Sequence, residues 1–409
     1  LCRGFWRDRQ RPVLVNNWEA TYFDFNTEKI VKIAEKAASL GVEMMVLDDG
    51  WFGTRNDDNQ GLGDWIVNCE KLPGGLDPLI EQINALGMKF GLWFEPEMIS
   101  KDSDLHRAHP DWVLSVPGRP RSLSRQQHVL DFSRADVRDH IYQQMTAILD
   151  RVPIDYIKWD MNRYITEPYS LALEADRQGE VFHRYILGVY KLAEMITAKY
   201  PELLIESCAG GGARFDPGML YYAPQAWASD DTDAIERLSI QEGTSLIYPP
   251  SSIGAHVSAV PNHQVGRITP LATRGNVAMM GGAFGYELDL TKLSEKELDE
   301  ISQQIETYHS IRETIQFGQL YRLKKTTNTW AANYVSQDKN QAVFTFIKIL
   351  AKPEAPLLHV RLKGLDPDAL YECPQLGETF YGDELMNIGL IMPHVQKDYF
   401  SVQYIFNKI

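Results

Sequence analysis

The chain has 409 residues, 44% hydrophobic and 23% charged, with a formal net charge of −14. This is a globular composition with room for one large domain and a smaller one. The negative balance disfavours nucleic acid as a partner, and no apolar run reaches the ~18–20 residues of a membrane span, so no membrane partner is expected either. The four cysteines (Cys2, Cys69, Cys208 and Cys373) are scattered without a CxxC pair. That spacing argues against a disulfide framework or a zinc site and for a reducing, cytoplasmic setting.

The chain starts at Leu1 with LCRGFWRDRQRP and enters an apolar strand within about a dozen residues. We expect it to be an internal piece of a longer polypeptide. Short apolar runs then alternate with helical patterns. Eight strands are predicted, at 13–18, 44–49, 90–95, 155–160, 203–208, 225–230, 253–258 and 278–284. Helices between them include EKIVKIAEKAASLG, LDPLIEQINALG, RADVRDHIYQQMTAILDR and EVFHRYILGVYKLAEMITAKY, each with apolar residues three and four apart. Gly41 and Gly87 stand where helix stops belong. Eight strand–helix units in succession predict an α/β fold, a (β/α)8 TIM barrel; a doubly wound sheet is the competitor. A long helix over 293–318 closes this region. Beyond it QAVFTFIKI, LLHVRLKGL and SVQYIFNKI alternate at period two, which predicts a small antiparallel β-sandwich. The expected domains are a catalytic barrel over 1–318 and a C-terminal β-sandwich over 319–409.

Barrel enzymes carry their chemistry at the C-terminal strand ends, and the unusual residues fall there. Strand one ends in Asn17, Trp18 and Glu19, strand two in Asp48 and Asp49, and strand three in Trp93, Glu95 and Glu97. Strand four carries Lys158, Asp160 and Asn162 on one face, opposite Ile157, Trp159 and Met161. Strand five leads into ESCAGGG and strand six into SDDTD, with Asp230, Asp231 and Asp233. Asp231 and Asp233 also suit helix capping. Cys208 also suits a buried small apolar residue, and Trp18, Trp51, Trp65 and Trp93 could be core. Two carboxylates from different strands, aromatic walls and many hydroxyl-binding groups suit glycoside hydrolysis. Few histidines fall at strand ends and no G-x-S-x-G elbow occurs, so metal-dependent and serine chemistry are disfavoured. No metal or other cofactor is expected.

NNWEATYFDF, LDDGWFG, LGDW, GLWFEPEM, KWDMNR, ESCAGGGARFDPGML and SDDTDAIERL resemble the α-galactosidases of glycoside hydrolase family 36. The resemblance runs in order over roughly residues 3 to 290. It implies a retaining double displacement on terminal α-linked galactose, mainly α-1,6, in oligosaccharides such as melibiose and raffinose. Asp160 is then the nucleophile and Asp230 the general acid/base, with carboxyl groups about 5–6 Å apart. Lys158 is expected to hold the Asp160 pKa low, and desolvation to keep Asp230 protonated. Asp48 and Asp49 are expected at O4 and O6 of galactose, and Lys158 and Asn162 at other hydroxyls. Trp18 and Trp93 are expected to wall the pocket. Arg125 matches a substrate-contacting arginine, and Cys208 and Gly211 match positions at the O2 edge. The resemblance also implies an absent N-terminal domain and a homo-oligomeric full-length protein. Where many relatives read IWTSDNTD this chain reads AWASDDTD, so Ala226, Ala228 and Asp231 change the surroundings of Asp230. The alternatives are an α-N-acetylgalactosaminidase, a transglycosylating enzyme of the same fold, a truncated inactive sugar-binding fragment and a metal-dependent barrel hydrolase.

Overall fold

The computed structural model describes residues 3–409; Cys2 lies outside them. Eight strands close into a barrel in sequential order: β1 (Leu14–Asn16), β2 (Met44–Leu47), β3 (Lys89–Phe94), β4 (Tyr156–Trp159), β5 (Leu204–Ser207), β6 (Gln225–Trp227), β7 (Ile253–Ser258) and β8 (Ala283–Glu287). Adjacent strands from β1 to β6 pair in parallel. Apart from Lys89, every residue of these eight strands is buried. Burial of both faces explains why they read as continuous apolar runs.

The four helices named above lie at Thr27–Ser39, Asp77–Ala85, Ala135–Leu149 and Val181–Lys199. Asn26 caps the first through Lys29 N at 2.9 Å. Gly41 and Gly87 follow the first two with φ of 96° and 80°, the left-handed conformation that ends a helix cheaply.

The eighth strand departs from its predicted place. Ala278 and Met279 finish a helix, Leu271–Met279, and the strand begins only at Ala283. Gly282 turns the chain with φ 111°, and a Cβ there would meet the Pro250 carbonyl oxygen at 1.8 Å. Two glycines inside an apolar run mark a turn, not strand interior. The shift makes buried Glu287 the last residue of β8.

The chain divides into two compact units: 1–9, 14–230 and 287–292 in one, and 10–13, 231–286 and 293–409 in the other. The second contains the long helix, Glu295–Phe317, with a Ser294–Glu297 capping box. After it comes a six-stranded antiparallel sheet in the order Gln319–Lys325, Thr329–Val335, Gln341–Lys348, Phe400–Lys408, Leu370–Cys373, Glu378–Tyr381. The opposing layer is reduced to the two-residue strands His359–Val360 and Leu390–Ile391. Phe344, Phe346, Tyr371 and Phe406 from the large sheet share a core with Val360, Leu390 and Met392. The sandwich is therefore lopsided, because most of LLHVRLKGL forms loop.

The helix Val181–Lys199 carries Gly188 where a Cβ would fall 1.9 Å from the Phe132 carbonyl oxygen. Gly188→Ala gains about 1 kcal/mol of helix propensity but overpacks by about 3 kcal/mol. A net loss of about 2 kcal/mol is expected, read as a lower midpoint in urea unfolding. An unchanged midpoint would show that the two segments part at no cost.

Candidate active site

The end of β2 places two adjacent carboxylates in different surroundings. Asp48 Oδ2 accepts from Asn16 Nδ2 at 2.6 Å and from Lys158 Nζ at 2.9 Å. Asp49 is clamped by Arg55, whose Nη2 lies 2.9 Å and Nε 3.1 Å from its oxygens. Burial raises the Asp49 pKa, against the pull of Arg55. The loop carrying both is fastened by Lys71, which donates to the carbonyls of Gly50, Arg55 and Phe23 at 2.9–3.0 Å.

Lys158 thus reaches Asp48, not Asp160 as expected from strand alternation. It lies one strand step below Asp160, and its long stem spans from β4 to the end of β2. Asp160 is held instead by Trp93 Nε1 at 3.1 Å, Asn162 Nδ2 at 2.7 Å and Met161 N at 2.9 Å. The Cys208 thiol adds a weak hydrogen bond, and burial followed by the facing Asp160 charge raises its pKa well above the usual thiol range. Cys208 is therefore a neutral group beside Asp160 and not a thiolate nucleophile.

Asp230 follows β6. Its pKa is raised to about 6, first by burial and then by Asp160, with Lys158 and Arg125 opposing and Glu287 adding to the rise. The expected desolvation of Asp230 is present. Asp231 is not among these causes; its side chain accepts from Asp233 N at 3.0 Å. Asp233 caps the helix Ala234–Ser245 through Ile235 N and Glu236 N and pairs with Arg267, so its role is structural.

The loop after β5 is tied to the Asp160 loop, since Gly210 N donates to Asn162 Oδ1 at 3.0 Å. Gly211, at φ 83°, comes so near Asp230 that a Cβ would stand 2.7 Å from its backbone nitrogen. Arg125 sits exposed in the Ser124–Gln127 turn that leads into the strand Gln127–Val129, which pairs with Met98–Ser100. It and Gln126 both have positive φ, 49° and 59°, which costs non-glycine residues about 1–2 kcal/mol each.

The tryptophans divide. Trp18 is partly exposed and packs edge-on against Tyr22 and Phe23, with ring centroids 5.2 and 5.1 Å away. Trp93 is only 1% exposed and packs against Phe52 and Trp65, with Trp51 Nε1 donating to its carbonyl at 2.8 Å. It offers Asp160 an N–H and offers little open face. Trp51 and Trp65 are core.

Four residues had no assigned role in the sequence reading. Asn16 was passed over for its neighbour Asn17, whose Oδ1 accepts from Asp48 N at 2.8 Å. Glu287 was hidden by the displaced eighth strand. Arg55 lies in a loop with no periodic signal. Glu95 was visible in WFEPE but carried no role. Its neighbour Glu97 is structural, accepting from Trp159, Tyr185 and Arg214 at 2.6–2.9 Å. Among the described residues no cluster of His, Cys, Asp and Glu could hold a metal ion, and no helix is long and apolar enough to cross a membrane.

Because Asp160 is the second cause of the raised Asp230 pKa, Asp160→Asn is expected to bring it down from about 6 towards the ordinary aspartate value. A carboxyl-carbon NMR titration reads this shift; an unmoved value would mean that burial and Glu287 set it without Asp160.

The melibiase family profile matches residues 1–318, and the profile of the glycosyl hydrolase family 36 C-terminal domain matches 329–406. The chain is 56% identical to α-galactosidase AgaA of Geobacillus stearothermophilus over 99% of its own length and 55% of that enzyme. It is 52% identical to α-galactosidase Mel36A of Lactobacillus acidophilus over 100% of its own length and 56% of that one. The AgaA crystal structure superposes with a TM-score of 0.98, covering 100% of this chain and 57% of the other. The chain spans a little over half the length of these relatives. On its strand-end carboxylates and on these matches, it belongs to the melibiase family, with the C-terminal domain of glycosyl hydrolase family 36.

Proposed function

We propose that this chain is the catalytic portion of a retaining exo-α-galactosidase that releases terminal α-linked galactose, mainly α-1,6, from oligosaccharides such as melibiose and raffinose. The observation that carries the reading is the pairing of Asp160, gripped by several donors, with Asp230, raised to about 6 partly by Asp160 itself. Two neighbouring carboxyls with separated proton affinities can divide the work of nucleophile and acid. AgaA variants have been crystallised with raffinose and with stachyose, which supports the substrate class.

In the first step an Asp160 oxygen bonds to the anomeric carbon while the bond to the leaving oxygen breaks. The Asp230 proton passes to that oxygen. In the second step Asp230 takes a proton from water, the water oxygen bonds to the anomeric carbon, and the ester to Asp160 breaks. Two inversions give net retention, which calls for carboxyl groups about 5–5.5 Å apart. Asp48, Asp49, Lys158 and Asn162 are proposed to bind the ring hydroxyls, with Trp18 and Arg125 at the entrance and Cys208 and Gly211 at the O2 edge. Gly211 has no room for a side chain beside Asp230, and this tight edge fits a plain hydroxyl better than an N-acetyl group.

The domain division at 318/319, a cytoplasmic location and homo-oligomeric assembly of the full-length protein are part of the same proposal. Among the described residues Cys69, Cys208 and Cys373 are free thiols, which supports a reducing compartment.

With nitrophenyl α-galactoside as substrate, the first sugar product followed by proton NMR is expected to be the α-anomer; a β-anomer would overturn retention. Asp160→Ala should lose at least about 10³-fold in kcat. Asp230→Ala should recover turnover of the activated substrate with added azide. Since the protonated form of Asp230 is the acid, kcat/KM on melibiose, whose poor leaving group needs the proton, should fall as pH rises through about 6. A flat profile across that range would remove Asp230 from the role. Preference for the N-acetyl analogue would overturn the assignment to galactose.

A further inference from the structure

Glu95 follows β3 directly and is 1% exposed. Its Oε1 accepts the backbone N–H of Asn162 in a short hydrogen bond and Gln127 Nε2 at 3.1 Å. Its Oε2 is buried without a hydrogen-bond partner. Asn162 in turn donates its side-chain amide to Asp160 at 2.7 Å and accepts from Gly210 N at 3.0 Å. A single carboxyl group thus supports the residue that links the Asp160 loop to the Gly210–Gly211 loop, which abuts Asp230.

An ionised carboxylate would be badly placed here. One oxygen has no donor, and the cation nearest in effect, Arg55, is committed to Asp49. Asp160 and Asp49 both face Glu95 with like charge, and burial is the largest cause raising its pKa to about 8. A buried carboxyl in such company keeps its proton.

Resting on the glycosidase reading above, we propose that Glu95 is a positioning residue that works as a neutral carboxylic acid. It fixes Asn162, and through it the attacking oxygen of Asp160, without adding a second negative charge beside the nucleophile. It touches neither the sugar nor the breaking bond. Gln127, from the strand Gln127–Val129, holds it from the other side and so couples the Arg125 turn to the nucleophile.

The test compares Glu95→Gln with Glu95→Ala in the full-length enzyme, using an aryl α-galactoside with a good leaving group. Such a substrate needs little help from an acid, so a deficit reports on attack by Asp160. Glutamine reproduces the neutral group and its acceptor oxygen, and is expected to keep kcat within about threefold of wild type. Alanine leaves Asn162 loose and is expected to lower kcat by about 10- to 100-fold, more than it raises KM. A Glu95→Gln enzyme as slow as Glu95→Ala, or a Glu95→Ala enzyme as fast as wild type, would overturn the proposal. Independently of turnover, the wild-type minus Glu95→Gln infrared difference spectrum at pH 7 should contain the C=O stretch of a protonated carboxyl. Its absence would show an ionised Glu95 and overturn the neutral form. A wild-type enzyme inactive on α-galactosides would refute the function proposed above, while the infrared result would still decide the protonation of Glu95.

Discussion

Crowding of carboxyl groups in a dry space is the constraint on which the rest of this structure depends. Asp48, Asp49, Glu95, Asp160 and Glu287 are all buried at or just beyond the barrel strand ends, with Asp230 raised in pKa beside them. Like charges a few ångströms apart in low dielectric repel by several kcal/mol, so they cannot all ionise unless each finds a counter-charge or donors. The structure answers case by case. Lys158 serves Asp48, Arg55 serves Asp49, neutral N–H donors serve Asp160, and Glu95 and Asp230 retain protons to higher pH.

Such an arrangement survives only on stiff loops. Removing one partner of a buried pair leaves a lone charge and costs about 3–5 kcal/mol. The loops are accordingly pinned by buried ties with no part in the chemistry. Lys71 donates to three carbonyls around the Asp49 loop, and Glu97 gathers Trp159, Tyr185 and Arg214. Beneath them, Trp51, Phe52, Trp65 and Phe94 pack with ring centroids 4.4–6.1 Å apart. That cluster fixes the Trp93 indole so that its N–H aims at Asp160. The packing at this rim thus fixes the orientation of the Asp160 carboxyl.

Much of the barrel was legible because strand burial and helix amphipathicity are local, periodic signals. The first seven strands fall within their predicted stretches, save that β3 begins one residue early at Lys89, and Gly41 and Gly87 mark the ends of their helices. The eighth strand was misplaced because Ala278, Met279 and Met280 are equally apolar in a helix or a strand. Only the close approach of Gly282 to Pro250 shows where the chain must turn. The C-terminal sandwich is lopsided for a related reason: LLHVRLKGL alternates at period two, yet within it only His359 and Val360 pair with another strand.

The sequence by itself determined that acidic, amide and aromatic groups would stand at successive strand ends, since parity along a buried strand dictates which residues share a face. Which group touches which was settled only in three dimensions. Lys158 belongs to Asp48, Trp93 supplies an N–H instead of an open wall, and Glu95 supports Asn162. Partner choice depends on distances across the barrel between residues up to 110 positions apart. Proton affinity depends on how much water those neighbours exclude, and neither quantity is written into any local stretch of chain.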